Sequence, residues 1–184
     1  MDVAPYVFDL DDLGEGWDCY DELIAIKREY PGLKVTLFAV PGRLTTEMLA
    51  KYTALDWVEL AVHGYHHASA ECAVWTEDDA KERMDEVMEW WPGVKGFKAP
   101  GWVMSKEAYP YFDKNGWWLA DHADNGYRWG ESTAPRYLYN GRTDLVALHG
   151  HTWDCCGNGP SDWAEMFKDV PKDAHFKFVS EVVR

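Results

Sequence analysis

The chain has 184 residues, of which 47% are hydrophobic, and 18 basic against 32 acidic side chains give a formal net charge of −14. This length predicts a single domain, residues 1–184, with a sizeable core, and the hydrophobic fraction excludes a disordered chain. The negative charge argues against nucleic acid and anionic membranes as partners, because both are anionic themselves. Residues 1–5 lack the basic start of a signal peptide and no apolar stretch approaches membrane-spanning length, so we expect a cytoplasmic protein.

Predicted strands and helices alternate along the chain. The pattern of apolar and β-branched residues predicts strands at 3–10, 34–40, 57–62, 96–99, 117–120, 144–148 and 175–179. Capping residues and helical spacing predict helices at 19–30, 45–54, 76–91, 105–116 and, as a short turn, from 161. Such alternation is typical of parallel strands with crossover helices, in a barrel or in an open doubly wound sheet. In a parallel barrel catalytic groups lie where strands end, so those positions hold the first candidates.

Two histidines follow the third predicted strand. His63 and His67 are four residues apart and can point the same way if the chain coils into a helical turn after the strand. Imidazole is the commonest neutral metal ligand near neutral pH. With a third ligand and an open coordination position, this pair would form a hydrolytic metal centre. His66 is an alternative to either member of the pair.

Three carboxylates follow the first predicted strand, at Asp9, Asp11 and Asp12. They repel one another and therefore need a cation or strong donors nearby, unless they form a solvated acidic turn or a helix cap. Asp9-Leu10-Asp11 also resembles the nucleophile motif of haloacid-dehalogenase-like phosphatases. That motif normally continues with Thr or Val, where this chain has Asp12 and then Leu13.

Two further strand ends carry polar residues. Lys98 ends a mostly apolar strand, where a cation is costly without a carboxylate partner, and the aspartate cluster is the obvious partner. The alternative is a surface lysine whose amine reaches water. His149 directly follows four apolar residues, 145–148, which favours a histidine poised for chemistry over a solvated one.

Cysteine and tryptophan usage adds little to the prediction of function. The four cysteines show no Cys-x-x-Cys spacing, and the adjacent pair Cys155-Cys156 is a poor zinc signature. Nothing in them requires an oxidising compartment. Most of the 11 Trp and 10 Tyr residues are expected in the core, and a minority in loops could stack on sugar rings.

Taken in chain order, four strand-end motifs resemble the polysaccharide deacetylase superfamily (carbohydrate esterase family four, the nodulation-deacetylase-like domain). The motifs are the acidic pair, His-x-x-x-His, Phe-[basic]-x-Pro-x-[aromatic] and Leu-His. The likeness spans nearly the whole chain, including segments 34–40 and 176–181. The resemblance implies an α/β fold, a distorted parallel (β/α) barrel of about seven strands, and a divalent metal that is commonly zinc.

The same resemblance assigns roles to individual residues. Asp12, His63 and His67 correspond to the metal ligands, and Asp11 corresponds to the general base. Lys98 stands where the family usually has an arginine that holds this base, and the change loses the bidentate geometry of a guanidinium.

On the substrate side, Pro100 and Trp102 resemble the wall of the substrate groove, and His149 resembles the general acid. Asp121 is the candidate to orient His149. His151 is an alternative acid, because Gly150 follows His149 where the family commonly has an acidic residue. A shifted register is also open, in which Asp9 is the base and Asp11 the ligand.

The resemblance implies a metal-dependent carbohydrate deacetylase whose partner is an N-acetylated sugar or oligosaccharide. Two alternatives share the scaffold: a hydrolase of a cyclic amide or an acetyl ester, and a non-catalytic protein that binds glycan through Trp-rich loops. The phosphatase motif predicts magnesium-dependent phosphate release instead.

Overall fold

The computed structural model of the protein describes residues 4–122, 132–155 and 157–183. Its strands are β1 (Tyr6–Leu13), β2 (Val35–Ala39), β3 (Val58–His63), β4 (Gly96–Lys98), β5 (Trp118–Asp121), β6 (Arg136–Leu138), β7 (Val146–His151) and β8 (Phe176–Lys177). Its α-helices are α1 (Tyr20–Glu29), α2 (Thr46–Thr53), α3 (Glu77–Trp90), α4 (Tyr109–Lys114) and α5 (Trp163–Met166).

All the paired strands are parallel, and their order is β6-β5-β4-β3-β2-β1-β7, with β8 also paired to the start of β1. Seven strands therefore follow one another in a continuous path that curls into a half-barrel with helices. This confirms the distorted parallel (β/α) barrel, because crossover helices between parallel strands are what the alternating pattern predicts.

The two faces of the sheet bury different sets of side chains. Successive residues of a strand point to opposite faces, so Val7 and Phe8 belong to different hydrophobic clusters. The larger cluster includes residues of the helices, such as Leu23 and Val87. The smaller cluster includes Phe38. The amine of Lys98, at the end of β4, lies 4.2 Å from the Phe38 ring and so adjoins this cluster.

Several elements differ from the sequence prediction, including β7, which was predicted at 144–148 and runs from Val146 to His151. β1 continues to Leu13 instead of ending at residue 10, and β6 lies in a stretch predicted to be irregular, because three residues are too few to show alternation. The helix predicted from Ser105 begins at Tyr109 instead. The hydroxyl of Ser105 donates to the carbonyl of Trp75 and is not used as a helix cap.

Within residues 4–122, 132–155 and 157–183, no helix is long and apolar enough to cross a membrane.

Candidate metal centre and catalytic residues

Strand register brings the candidate residues to one end of the sheet. Asp9 is paired with His149 and Asp11 with His151 in the ladder between β1 and β7. His63 is paired with Lys98 in the ladder between β3 and β4. Because paired residues of parallel strands point to the same face, residues distant in sequence meet here.

Asp12 reaches the site through a break in the strand geometry. The register of β1 against β2 shifts between Leu10 and Leu13, and Asp12 has a φ of 78°. A regular strand would turn the side chains of Asp11 and Asp12 to opposite faces. The irregularity lets both carboxylates approach the same histidine, His63.

Asp12, His63 and His67 form a group of three ligand-bearing side chains, whose ligand atoms lie within 4.8 Å of one another. Oδ1 of Asp12 is 2.7 Å from Nε2 of His67 and 3.4 Å from Nε2 of His63. The two histidines meet without the helical turn that was one way to bring them together, since Gly64 has a φ of 59° and His67 a φ of 62°.

Glu71 holds the histidine loop. Its Oε1 accepts hydrogen bonds from the backbone N–H groups of Tyr65, at 2.8 Å, and His67, at 2.9 Å. Its Oε2 accepts from the N–H of His66 at 3.1 Å. One carboxylate therefore fixes three successive residues in the conformation that brings His67 back to Asp12.

His66 lies outside this ligand group. His66 is exposed, and its ring lies against Gly42. A Cβ atom added to Gly42 would be only 2.8 Å from Nδ1 of His66. The imidazole therefore packs beside Gly42 and does not replace His63 or His67 in the group.

The ligand side chains are oriented by further hydrogen bonds. Nε1–H of Trp153 donates to Oδ2 of Asp12 at 2.9 Å. Nδ1 of His63 lies 3.1 Å from the carbonyl oxygen of Lys98, an arrangement in which Nδ1–H donates and Nε2 offers its lone pair toward Asp12. Such contacts around metal ligands fix the ring orientation and tautomer of a histidine.

The donor set fits a divalent metal. Among the described residues Oδ1 of Asp12 is buried and makes no hydrogen bond, although two imidazole nitrogens approach it. Burial by itself raises the pKa of Asp12, but the two histidines and Trp153 lower it well below the usual range. The contact with Asp12 raises the pKa of His67. Two imidazoles and a carboxylate form a common three-ligand set for catalytic zinc.

Lys98 is buried between two carboxylates. Its Nζ lies 2.6 Å from Oδ2 of Asp9 and 2.7 Å from Oδ1 of Asp11, and Lys98 is 0% exposed. Burial opposes the charged amine, but the two carboxylates raise the pKa of Lys98. Burial likewise opposes ionisation of Asp9, but Lys98 and His149 lower its pKa to about 2. The predicted partnership between the lysine and the aspartate cluster is therefore present.

His149 lies between Asp9 and Asp11. Its Nδ1 is 2.9 Å from Oδ2 of Asp9, and its Nε2 is 3.8 Å from Oδ2 of Asp11. The carboxylate that contacts Nδ1 is thus Asp9, whereas the sequence prediction gave this position to Asp121. One oxygen of Asp121, Oδ1, accepts from the N–H of His122.

The burial of Asp9 argues against two of the sequence alternatives. Asp9 is 0% exposed and its Oδ2 is bound by both Lys98 and His149, whereas Asp11 presents its Oδ2 to His63 of the ligand group. This disfavours both the phosphatase nucleophile and the shifted register with Asp9 as base. Asp12 is the aspartate grouped with His63 and His67.

The two predicted groove residues differ in exposure. Trp102 is half-buried, has a φ of 60°, and presents its ring to His149 and to Lys98, at 5.2 and 4.2 Å. Pro100 is buried instead, and packs so closely on Gly64 that a Cβ there would lie 2.6 Å from its Cγ. Pro100 therefore supports the histidine loop, and its role as a groove wall stays a prediction.

Aromatic side chains lie on two sides of the group. On one side Trp17 stacks on Trp153 at 5.0 Å, and the guanidinium of Arg43 lies 3.6 Å from the Trp17 ring. On the other side Tyr139 joins Trp102, with ring centroids 5.7 Å apart. All four rings are partly exposed.

Three residues of the site carried no recognisable signal in the sequence. Glu71 and Asn158 act through loop hydrogen bonds, and Nδ1 of His151 lies 2.6 Å from Oδ1 of Asn158. Trp153 follows two residues after a candidate histidine, but its contact with Asp12 joins residues 141 positions apart. No local spacing rule covers such a distance.

No protein-family model and no curated protein matches the chain. Among solved structures it is similar to the Xyl-CE4 domain of a multidomain xylanase from the hindgut metagenome of Trinervitermes trinervoides (TM-score 0.69, 14% identity, covering 98% of this chain and 89% of that one). It is also similar to a family 4 acetyl xylan esterase from Clostridium thermocellum in complex with cobalt (TM-score 0.67, 13% identity, covering 96% of this chain and 88% of that one). A further similar structure is that of a Bacillus anthracis protein described as a CE4 family pseudoenzyme (TM-score 0.67, 10% identity, covering 97% of this chain and 65% of that one). The chain therefore has the fold of carbohydrate esterase family four, in agreement with its four strand-end motifs.

Proposed function

We propose that the protein is a metal-dependent hydrolase that removes N-acetyl groups from a sugar or glycan. The observation that carries this proposal is the convergence of Asp12, His63 and His67 on a buried carboxylate oxygen that makes no hydrogen bond among the described residues. Asp11 and His149, a base and an acid candidate, lie directly beside this group.

Asp12, His63 and His67 would hold the cation, which we propose to be zinc because two imidazoles and a carboxylate suit it. When bound, such a cation polarises a carbonyl oxygen and lowers the pKa of a water molecule from 15.7 to about 7. The chain's own residues supply the remaining requirements, which are a base, an acid and a surface for the sugar.

Asp11 is the proposed general base. Lys98 holds its Oδ1 at 2.7 Å, which leaves Oδ2 facing the site, 3.7 Å from Nε2 of His63. Oδ2 is therefore the atom that would take a proton from the attacking water. Because Lys98 is buried and bound also by Asp9, the base is held in one orientation.

His149 is the proposed general acid. Asp9 fixes its Nδ1, so that Nε2 faces Asp11 and would deliver a proton to the departing amine nitrogen. The ring of Trp102 packs at 5.2 Å against the imidazole and covers it from solvent. Acid and base thus lie on adjoining strands, with Asp9 joining them through Lys98.

The aromatic residues support a sugar as the substrate. Partly exposed aromatic rings adjoin the site: Trp17 and Trp153 contact the ligands His67 and Asp12, and Trp102 and Tyr139 contact His149. The apolar faces of a pyranose pack well on such rings.

Acetate release from N-acetylated chito-oligosaccharides tests the function. Asp12→Ala and His63→Ala are expected to lose activity together with the metal ion held by Asp12, His63 and His67, since each removes a ligand of that ion. His149→Ala should keep one zinc ion in that ligand set and lose turnover by about 10²–10⁴-fold. Normal metal content in the Asp12 and His63 variants would overturn the ligand set, and loss of metal in His149→Ala would make His149 a ligand.

Two alternatives have support among the structural neighbours. The Clostridium thermocellum neighbour is an acetyl xylan esterase, which favours comparing acetyl ester with acetamide substrates. The Bacillus anthracis neighbour is described as a pseudoenzyme, which favours a non-catalytic glycan-binding reading. Faster release from an acetylated xylan would select the ester, and tight glycan binding without acetate release from any substrate would select the binding protein.

A further inference from the structure

A second group of metal-ligating side chains shares Asp12. Asp12, His151 and Cys155 each bring one ligand atom to within 4.8 Å of the other two. Asp12 thus belongs both to this group and to the group that contains His63 and His67. The new members come from the end of β7 and from the loop that follows it.

The loop that carries Cys155 is anchored at its base. The N–H of His151 donates to the carbonyl of Asn158 at 3.1 Å, which closes the loop. The N–H of Thr152 donates to the carbonyl of Asp11 at 3.0 Å, and Thr152 is buried. Cys155 therefore stands on a loop whose two ends are tied together beside the site.

The imidazole of His151 is oriented as a ligand. Oδ1 of Asn158 lies 2.6 Å from its Nδ1, so Nδ1–H donates and Nε2 carries the lone pair. The same arrangement orients His63, whose Nδ1 faces the carbonyl of Lys98. One histidine of each group is thus held in the tautomer that binds metal through Nε2.

The buried charges of the site are negative overall and attract cations. Three buried carboxylates, Asp9, Asp11 and Asp12, lie at this end of the sheet, and the buried Lys98 binds two of them, Asp9 and Asp11. One dication balances the excess of two negative charges. A thiolate from Cys155 adds a further negative charge, which offsets half of the charge of a second dication next to it.

We propose that Asp12, His151 and Cys155 bind a second, thiophilic divalent cation such as zinc, beside the cation held by Asp12, His63 and His67. On binding, the Cys155 thiol gives its proton to solvent and its sulfur bonds to the cation. Thiolate and imidazole select zinc, cobalt or cadmium over magnesium and calcium. The ligands come from β1, β7 and a loop, which is why the adjacent cysteines in the sequence look unlike a zinc motif.

Cobalt titration tests this proposal without any measurement of catalysis, so it does not depend on the deacetylase function. The full chain, reduced and stripped of metal, is titrated with Co²⁺, and bound cobalt is counted by equilibrium dialysis. We expect two cobalt ions per chain together with the near-ultraviolet charge-transfer absorption of a thiolate–cobalt bond. Cys155→Ser should bind one cobalt ion and lose the band, whereas Cys156→Ser, the matched control, should keep both.

The reciprocal variant separates the two sites. His63→Ala should lose one cobalt ion and keep the thiolate band, because its remaining site is the one with Cys155. One cobalt ion per chain in the wild type would overturn the proposal, as would a Cys155→Ser variant that still binds two. A band that disappears only in Cys156→Ser would also overturn it.

A measurement on the unmutated chain guards against a variant that fails to fold. Alkylation of Cys155 by iodoacetamide is followed by peptide mass spectrometry, with and without excess zinc. Coordination of the thiolate should slow this reaction by about tenfold or more. An equal rate in both conditions would contradict a bond between zinc and Cys155.

Discussion

Oδ2 of Asp9 lies 2.9 Å from Nδ1 of His149, and the two residues are direct partners in the ladder between β1 and β7. The same oxygen of Asp9 accepts from Nζ of Lys98 at 2.6 Å, and Lys98 also binds Asp11. Asp9 therefore connects the proposed acid to the proposed base through one buried lysine. This makes Asp9 a positioning residue that contacts no substrate itself.

Replacement of Asp9 by asparagine tests this positioning role. Asp9→Asn keeps the shape of the side chain but removes the charge that orients His149, so kcat should fall by about a hundredfold or more. KM and zinc content should stay close to wild type, because the ligand group and the aromatic surfaces are untouched. Kinetics of acetate release and elemental analysis measure these quantities. Asp169→Asn, at an exposed position, is the control, and an unchanged kcat would contradict the role of Asp9.

Asp9 also predicts how stability depends on pH. Its pKa is about 2 in the folded protein against an ordinary value of 3.8, so its stabilising contribution is complete above about pH 4 and is lost as the pH falls toward 2. A shift of this size corresponds to roughly 2 kcal/mol. Urea unfolding of the metal-free protein between pH 6 and 2 measures this change in the free energy of unfolding. In Asp9→Asn the free energy of unfolding should depend less on pH in the acid range than in the wild type. The same pH dependence in both proteins would refute this account.

Lys98 should be essential for stability as well as for holding the base. Lys98→Met leaves the buried carboxylates of Asp9 and Asp11 without their shared cation, and we expect unfolding to become easier by about 3–5 kcal/mol at neutral pH. Lys98→Arg keeps the charge and should lose less stability than Lys98→Met, although the larger guanidinium must fit where Lys98 is fully buried. Denaturant titration compares the two. A methionine variant as stable as wild type would show that the ion pairs add no net stability.

Much of the site follows from the sequence because parallel strands end at the same edge of a sheet. The side chains of Asp11, His63, Lys98 and His149 lie together because each stands at or near the end of a strand. The strands themselves are recognisable from short apolar runs. Because successive side chains of a strand point to opposite faces of the sheet, Asp9 and Asp11, two residues apart, lie on the same face.

The remaining features depend on long-range geometry. The φ of 78° at Asp12 and the shifted register of β1 have no local signature, yet they bring Asp12 to His63. The pairing of Asp9 with His149 joins residues 140 positions apart, so the sequence favoured Asp121 for this contact. Hydrogen bonds from loops, such as those to Glu71, are invisible to spacing rules for the same reason.

Trp153 offers the sharpest test of how the ligand carboxylate is held. Its Nε1–H donates to Oδ2 of Asp12 at 2.9 Å, while its ring stacks on Trp17 at 5.0 Å and 11°. Trp153→Phe removes the donor and keeps an aromatic ring in the stack. Contacts that orient metal ligands are worth about 10–100-fold in affinity, so zinc binding should weaken by that factor.

Trp17→Phe is the matched control for this prediction. Trp17→Phe alters the other ring of the same stack. The Trp17 ring makes an edge contact with His67, with ring centroids 5.4 Å apart, so this variant should weaken zinc binding much less than Trp153→Phe. Competition with a chromophoric chelator measures both affinities. Equal losses in the two variants would mean that the stack, and not the hydrogen bond to Asp12, sets the affinity. A selective loss in Trp153→Phe would identify the indole N–H as the group that keeps Asp12 in its strained backbone conformation available to the metal.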